Sequence, residues 1–377
     1  MGIQKKILLV QLYSNGDCLY ATTVAKQIKN DFPDCHLTWA IASFCKSIIL
    51  NNPYVDDIME VPNVSKNNVS AFRKFRRKVF KMKKEGTFDE VFITHNIDRN
   101  HAYYDGCIRS SILRSYPFPV TVDVTPVLRL TDVEKDKARV FAEEHRLMDF
   151  KNVILFEYAP LSGQLNMTKE TAIGIAEDIV ALSATAIILS SANKISHHNN
   201  AIIDGSILTL RETAALSHYC TFLLGCSSGI TWISTSEAAK KLPMVQVLNP
   251  YTTWVNPVSR DFKRFGLPFH TVIEILEVNR PKIVECVSMA LKNFSLAAHQ
   301  FNEPIPLQFK TTQSIVYNLL CYLEFGAIVK HVRVNRQVYG NNISFYRELF
   351  VGFLIAPFKL IKNIVNKTLA KLGVFNG

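Results

Sequence analysis

The segment formed by residues 6–22 constrains the fold more than any other part of the chain. A short apolar run at 7–10 is followed by the polar turn Ser-Asn-Gly-Asp at 14–17, and a helical pattern starts at Thr22. This order is typical of a buried parallel strand that leads into the first helix of an α/β unit. Because open α/β sheets bind ligands at the carboxyl ends of their strands, Asp17 is expected to face the working cleft.

The length and charge of the chain limit its organisation and its partners. A chain of 377 residues is too long for one ordinary core, which favours two domains. Its 48% hydrophobic and 20% charged residues indicate a folded globular protein. The formal net charge of +11 indicates an anionic partner, which could be nucleic acid, a phosphorylated substrate or an acidic lipid surface.

The eight cysteines show no CxxC spacing and lie mostly within apolar or helical patterns. They are expected to be buried, reduced thiols of a cytosolic protein, and no metal site is predicted. The first residues do not have the pattern of a signal peptide. No segment has the roughly 18 uninterrupted apolar residues of a membrane-spanning helix, so the chain is not expected to cross a membrane.

Alternating strand and helix patterns predict an α/β fold with parallel sheets. The predicted strands are 7–10, 37–42, 58–61, 90–94, 153–156, 186–189, 208–210, 222–224 and 244–248, the last of the series. The predicted helices are 22–32, 44–51, 131–147, 169–182, 212–217 and one that starts at Ile230. We expect two Rossmann-like domains, 1–150 and 151–300, that face a central cleft, followed by a helical extension over 301–377.

Two segments are unusually basic. Residues 65–84 contain nine Lys or Arg and no acid, with Val69, Phe72 and Val79 on one helical stripe. A solvated helix with one buried face and a dedicated anion-binding patch both fit this pattern.

The second basic segment is the tail, where residues 331–377 contain seven Lys or Arg and one acid. Beyond Pro357, apolar residues recur at helical spacing, and four lysines fall largely on the other side: Lys359, Lys362, Lys367 and Lys371. This predicts an amphipathic helix that binds an anionic membrane surface through residues 345–377. Packing of that helix on the protein body is the alternative, and nucleic acid is not expected as a partner.

A second strand-to-helix turn carries the sequence Gly-Cys-Ser-Ser-Gly at 225–229. Free amides at a helix start, together with the hydroxyls of Ser227, Ser228 and Thr231, can bind a phosphate or diphosphate. Gly229 would let the backbone approach that anion closely. An ordinary serine cap is the alternative. The pair His197-His198 and the basic residues near 260–264 are expected to lie on surface loops.

Together with their flanking sequences, these two turns resemble the heptosyltransferase family, glycosyltransferase family 9, which has the two-domain GT-B fold. The N-terminal resemblance covers residues 6–61, including Phe-Pro-Asp at 32–34 and Asn-Pro-Tyr-Val-Asp at 52–56. The second covers 210–247, including Glu-Thr-Ala-Ala-Leu at 212–216 and Leu-Gly-Cys-Ser-Ser-Gly at 224–229.

The resemblance implies an inverting transfer of a sugar from a nucleotide-diphosphate donor to a lipid-linked or saccharide acceptor, in the assembly of lipopolysaccharide or another surface glycan. Asp17 would be the general base, with Asn15 and Gly16 in the acceptor-side loop, and no metal or cofactor is expected. The residues that would bind the donor are Ser227, Ser228, Gly229, Thr231, Ser162, Gly163 and Lys169. The enzyme would be cytoplasmic and peripheral, on the inner face of the cell membrane.

The chain departs from the family pattern at Ser227, at Trp232 and in the early loop of the second domain, which matches only loosely at 159–163 and Lys169. The family usually has an acid at the position of Ser227 and a histidine at the position of Trp232, so the sugar and the nucleotide base stay open. Two other functions fit the same fold: a soluble nucleotide-sugar epimerase, and a catalytically silent partner subunit.

Overall fold

Two separate parallel sheets organise the chain. The computed structural model describes residues 4–62, 68–160, 165–252 and 257–371, with side chains as far as residue 361. The first sheet has the order β3-β2-β1-β4 and the second β10-β9-β8-β5-β6-β7. The first contains β1 (Lys6–Val10), β2 (His36–Ile41), β3 (Asp57–Glu60) and β4 (Glu90–Ile93). The second contains β5 (Asn152–Glu157), β6 (Thr185–Ser190), β7 (Ile202–Asp204), β8 (Phe222–Gly225), β9 (Met244–Leu248) and β10 (Val272–Leu276). The expected α/β architecture is confirmed.

Helices flank both sheets and continue to the end of the described chain. The first lobe, built on β1–β4, has α1 (Asn15–Asp31), α2 (Val69–Lys84) and α3 (Ile108–Ser115). The second lobe, built on β5–β10, has α4 (Asp132–Glu144), α5 (Lys169–Leu182), α6 (Leu210–Leu216), α7 (Gly229–Ile233), α8 (Val258–Arg264), α9 (Arg280–Ala290) and α10 (Phe294–Phe301). The C-terminal helices are α11 (Thr311–Cys321), α12 (Phe325–Tyr339) and α13 (Ile343–Lys371).

Burial on both faces explains why the central strands are continuous apolar runs. In β5, Val153 and Leu155 face a core that extends into the first lobe, whereas Ile154 and Phe156 face the core beneath α5 and α9. Strands 7–10, 153–156 and 244–248 are confirmed for this reason. Seven of the eight cysteines are buried, and all eight are free thiols.

Several sequence predictions about the elements were wrong. Residues 208–210 do not form a strand, because Thr209 caps α6 and forms a reciprocal capping box with Glu212. The strand at 244–248 is not the last, because β10 follows it. Strand β10 has no clear sequence signal, since a buried glutamate, Glu274, interrupts its apolar pattern. The residues at 44–51 fall mainly in a 3-10 helix (Ser43–Ile49).

A buried cluster joins the two lobes. In the first lobe, the Tyr20 ring of α1 lies 4.5 Å from the guanidinium carbon of Arg109 on α3. From the second lobe, the Trp232 ring of α7 meets Tyr20 edge-on at 5.2 Å between centroids. Asp261 of α8 pairs with Arg109, with 2.9 Å between Oδ2 and Nη2 and no solvent exposure of either side chain. We call Tyr20, Arg109, Trp232 and Asp261 the interlobe cluster.

The C-terminal helix α12 also contacts residues beside the interlobe cluster. The Tyr339 hydroxyl of α12 donates to the Asp105 carbonyl at 2.5 Å, and Arg264 of α8 pairs with the Asp105 carboxylate. The region at 260–264 is therefore a helix, and Arg264 is an internal ion-pair partner, not a residue of an exposed basic loop. Within the described part of the chain, no helix combines the length and apolar character needed to cross a membrane.

We predict that Arg109→Met lowers the free energy of unfolding by about 3–5 kcal/mol, because it leaves the Asp261 carboxylate buried without its counter-charge. Adding Asp261→Leu should recover most of the loss. Arg139→Met is the matched control, because Arg139 pairs with Glu143 on the solvent side of α4 and such pairs contribute less than about 1 kcal/mol. Urea unfolding measures all three variants, and equal losses for Arg109→Met and Arg139→Met would contradict the prediction.

Candidate active site

The strand order places two loops of each lobe where ligands bind to open α/β sheets. In the first sheet the order reverses between β1 and β4, and in the second between β5 and β8. The crevice beyond the carboxyl ends of strands at such a reversal is the usual ligand position. The loops after β1 and β8 carry the two turns that the sequence analysis selected, so both turns lie at switch points.

Asp17 lies within α1, not in a turn before it. The helix begins at Asn15, with Ser14 as its N-cap, so Asp17 is a half-buried residue of the first turn. A carboxylate there is stabilised by the free amides and the dipole of the helix. The second lobe lies against the start of α1, because a Cβ built on Gly16 would lie only 3.3 Å from Trp232 Cδ1. Glycine at 16 thus permits the close approach of α1 and α7.

A polar network at the same end of the first sheet was missed by the sequence analysis. The Gln11 amide group donates to the Tyr13 carbonyl at 3.0 Å and lies 3.2 Å from His95 Nδ1. The Thr94 hydroxyl donates to Gln11 Oε1 at 3.0 Å, and the Tyr13 and His95 rings meet edge-on at 4.4 Å. His95 follows the predicted strand 90–94 directly, so its place at the carboxyl end of that strand was the available signal.

In the second lobe, the start of α7 binds a carboxylate of the protein itself. Glu157, the last residue of β5, is only 5% exposed and accepts hydrogen bonds from the Ser228 hydroxyl and, at 3.2 Å, from the Thr231 hydroxyl. The backbone amides of Ile230 and Thr231 lie 3.5 and 3.4 Å from its two oxygens. Gly225 makes room, because a Cβ there would lie 3.4 Å from Glu157 Cβ.

Burial raises the pKa of Glu157 from its ordinary 4.5 to about 7, and the amides of Ile230 and Thr231 only partly oppose this. The carboxyl group therefore changes charge near neutral pH. Because its partners are the groups that the sequence analysis assigned to a donor diphosphate, Glu157 and an anionic ligand would use the same donors. The sequence signal was a single acid at the end of the apolar run 153–156.

The other predicted site residues have different positions. Ser227 is buried beside Ser228, and Gly229 begins α7. Lys169 begins α5, and its ammonium donates to the Lys194 carbonyl at 3.0 Å. Ser162 and Gly163 lie outside the described residues. The diphosphate contacts therefore stay a prediction.

Trp232, which replaces the histidine of the pattern that the sequence resembles, has a packing role in this chain. Its ring contacts Gly16 and Tyr20 of the first lobe, and it is buried. His197 pairs with Glu177 at 3.1 Å and lines a cavity of about 470 Å³ whose lining includes neither Asp17 nor Glu157. Among the residues that the structure describes, no group of three or more His, Cys, Asp or Glu could hold a metal ion.

Comparison with solved structures identifies the fold. The chain superimposes on a glycosyltransferase family 9 protein from Veillonella parvula with a TM-score of 0.52 and 16% identity, covering 77% of this chain and 90% of the other. It matches the E. coli ADP-heptose LPS heptosyltransferase II with a TM-score of 0.50 and 14% identity, covering 77% and 99%. No protein-family model and no curated protein matches the sequence. The chain has the GT-B glycosyltransferase fold, and the resemblance seen in the sequence is confirmed at the level of structure.

We predict that Glu157 makes stability fall as the pH rises through neutrality. The pKa of Glu157 is higher in the folded than in the unfolded chain, so its full contribution is present below about 4.5 and is lost as the pH rises through about 7. Between about pH 5 and about pH 8, the native protein should lose about 3 kcal/mol relative to Glu157→Gln, since each pKa unit corresponds to about 1.4 kcal/mol. Urea unfolding at both pH values measures this difference.

The control for this prediction is Glu285→Gln, which changes an exposed glutamate of α9 in the same way. It should follow the native pH profile. If Glu157→Gln also follows the native profile, the buried carboxyl does not titrate near neutral pH.

Proposed function

We propose that the chain is an inverting, metal-independent glycosyltransferase that moves a sugar from a nucleotide-diphosphate donor to a lipid-linked or saccharide acceptor, in lipopolysaccharide or other surface glycan assembly. The observation that supports it most directly is the contact between α1 and α7. Each of these helices follows a switch-point strand, and Gly16 and Tyr20 of one touch Trp232 of the other. On this basis the proposal assigns an acid of the first lobe and the hydrogen-bond donors of the second lobe to one junction.

In this proposal Asp17 is the general base. A sugar hydroxyl attacks an anomeric carbon effectively only when a carboxylate within hydrogen-bond reach takes its proton. Asn15, two residues earlier, has a buried Oδ1 without a hydrogen-bond partner among the described residues. Such an atom is costly unless a ligand or water satisfies it, which fits an acceptor hydroxyl bound beside Asn15 and Gly16.

The donor diphosphate would be bound by Ser227, Ser228, Gly229 and Thr231, with Ser162, Gly163 and Lys169 as further contacts. Hydroxyl and amide donors stabilise the charge that develops on a leaving diphosphate. For the donor to bind there, the Glu157 carboxyl must be protonated or displaced, because two anions cannot share the same donors without strong repulsion.

One observation favours a second function, that of a catalytically silent partner subunit. Glu157 already satisfies Ser228 and Thr231, and Trp232 packs in place of a family histidine. A chain that only stabilises or positions an active partner would keep the two-lobe fold and would not need an accessible anion site. Nucleotide binding separates the two functions.

The proposal places the protein on the cytoplasmic face of an anionic membrane through residues 345–377. Helix α13 packs on α11 along one side, and a stripe of exposed side chains recurs along the other with helical spacing: Ile343, Arg347, Phe350, Leu354, Phe358 and Ile361. An exposed apolar stripe that includes a cation is typical of a helix lying at a lipid interface. The lysines at 362, 367 and 371 have side chains outside the described part.

We predict that Asp17→Asn lowers kcat by about 10²–10⁴-fold, because the base is lost while its shape is kept. A thermal-shift screen of nucleotide diphosphates and their sugars first identifies the donor, since a bound ligand stabilises the native state. Acceptor-dependent release of the nucleoside diphosphate then measures turnover. Asp132→Asn, in the exposed first turn of α4, is the matched control.

The donor should shift the melting temperature of Asp17→Asn as much as that of the native protein. Unchanged turnover in Asp17→Asn would remove this residue from the mechanism. If no nucleotide shifts the melting temperature of either the native protein or Glu157→Gln, the silent-subunit function is favoured.

We also predict that Phe350→Asp together with Phe358→Asp weakens binding to phosphatidylglycerol vesicles by at least about 10-fold, because both changes put charge on the exposed stripe. Met148→Asp together with Leu182→Asp is the control, since these side chains are equally exposed but lie on the second lobe. Vesicle flotation measures the bound fraction. Equal weakening in both double variants would show that added negative charge alone explains the loss.

A further inference from the structure

Helix α2 presents a continuous face of cations that the proposed function does not use. Its exposed Lys and Arg residues are spaced three and four apart along one side of the helix: Lys74, Arg77, Lys78, Lys81 and Lys84. The opposite side holds Phe72 and Val79 in the core of the first lobe. At 16 residues the helix is about 24 Å long, so the cations cover most of its length.

Few acids compensate this face. Within the described residues, Glu85 reaches Lys81 at 3.5 Å, and both side chains are largely exposed. Of the other basic residues of the helix, Arg73 and Arg76 turn away and pair with the buried Asp98, and Lys83 pairs with Glu90 at 2.6 Å. The outward face therefore keeps nearly all of its positive charge.

An exposed apolar turn adjoins the same helix. Arg73 bonds Glu324 at 2.8 Å and lies 3.9 Å from the centre of the Tyr322 ring, which attaches α2 to the turn between α11 and α12. Leu323 in this turn and Phe325, the first residue of α12, are 74% and 58% exposed. Glu324, the acid between them, is neutralised by Arg73 and by Arg99 at 2.7 Å.

We infer that the cationic face of α2 and the turn at 322–325 form a second contact with an anionic lipid surface, separate from α13. Phosphate headgroups would bind the cations, while Leu323 and Phe325 enter the interface between headgroups and acyl chains. Nucleic acid fits less well, because exposed leucine and phenylalanine beside the cations gain more from lipid than from a phosphate backbone. The proposal concerns lipid binding and does not depend on the proposed transferase activity.

The test measures flotation of the full-length chain with vesicles of phosphatidylcholine, with and without phosphatidylglycerol. The variant R77Q/K78Q/K81Q should bind the anionic vesicles about 100-fold more weakly at low salt, because each cation near such a surface contributes about fivefold. The matched control K151Q/K194Q/K292Q removes three exposed lysines of the second lobe and should lose much less. All six side chains are at the surface, so these variants should fold.

A second variant tests the apolar turn. L323S/F325S should weaken binding to anionic vesicles by about 10-fold or more, and the loss should persist at high salt, where screening removes the electrostatic part. Equal losses in the two triple variants would overturn the inference, because net charge alone would then explain them. Vesicle binding unchanged in R77Q/K78Q/K81Q, with loss of binding to single-stranded RNA, would assign the face to nucleic acid instead.

This outcome is independent of the proposed function. Nucleoside diphosphate release with an acceptor in solution should be the same in the native protein and in R77Q/K78Q/K81Q. Failure of the transferase proposal would remove turnover from both proteins and leave the difference in vesicle binding intact.

Discussion

The arrangement of the two lobes depends on the contacts of the Tyr20 ring, which lies between Trp232 and Arg109. This ring meets an aromatic side chain from α7 and a guanidinium that pairs with Asp261 of α8. A buried charge is tolerated only when its partner is in place, and here the partner comes from the other lobe. The docked orientation of the lobes is therefore coupled to charge neutralisation. This orientation also brings the start of α1, with Gly16, against α7.

The start of α7 combines donors for an anion with an anion that belongs to the protein. Ser227 stands where the family pattern that the sequence resembles usually has an acid, and the acid that binds this turn comes from the end of β5 as Glu157. The two hydroxyls and two amides around it are chemically suited to a carboxylate or a phosphate. Because burial raises the pKa of Glu157 to about 7, the charge of this turn changes close to physiological pH. An anion that bound these donors would therefore be linked to the protonation of Glu157.

The C-terminal helices complete the first lobe and leave apolar surface uncovered. On their inner side, Tyr339 bonds the Asp105 carbonyl and Asn335 donates to the Tyr104 carbonyl at 3.1 Å. On the outer side, α13 exposes phenylalanines, and the turn before α12 exposes Leu323. Monomeric proteins rarely leave contiguous apolar surface without a partner. The positive charge of α2 beside this turn is the reason that we favour an anionic lipid as that partner.

The sequence by itself determined the central parallel strands, because strands buried on both faces are continuous apolar runs. It also determined the basic and amphipathic character of α2, which local spacing encodes. Short edge strand β7 and strand β10 were missed because three residues, or a buried glutamate, give too weak a periodic signal. Only the tertiary structure decided that Glu157 occupies the start of α7 and that Trp232 packs on α1. Both contacts join residues more than 70 positions apart, and no local pattern records which side chains the packing of two lobes brings together.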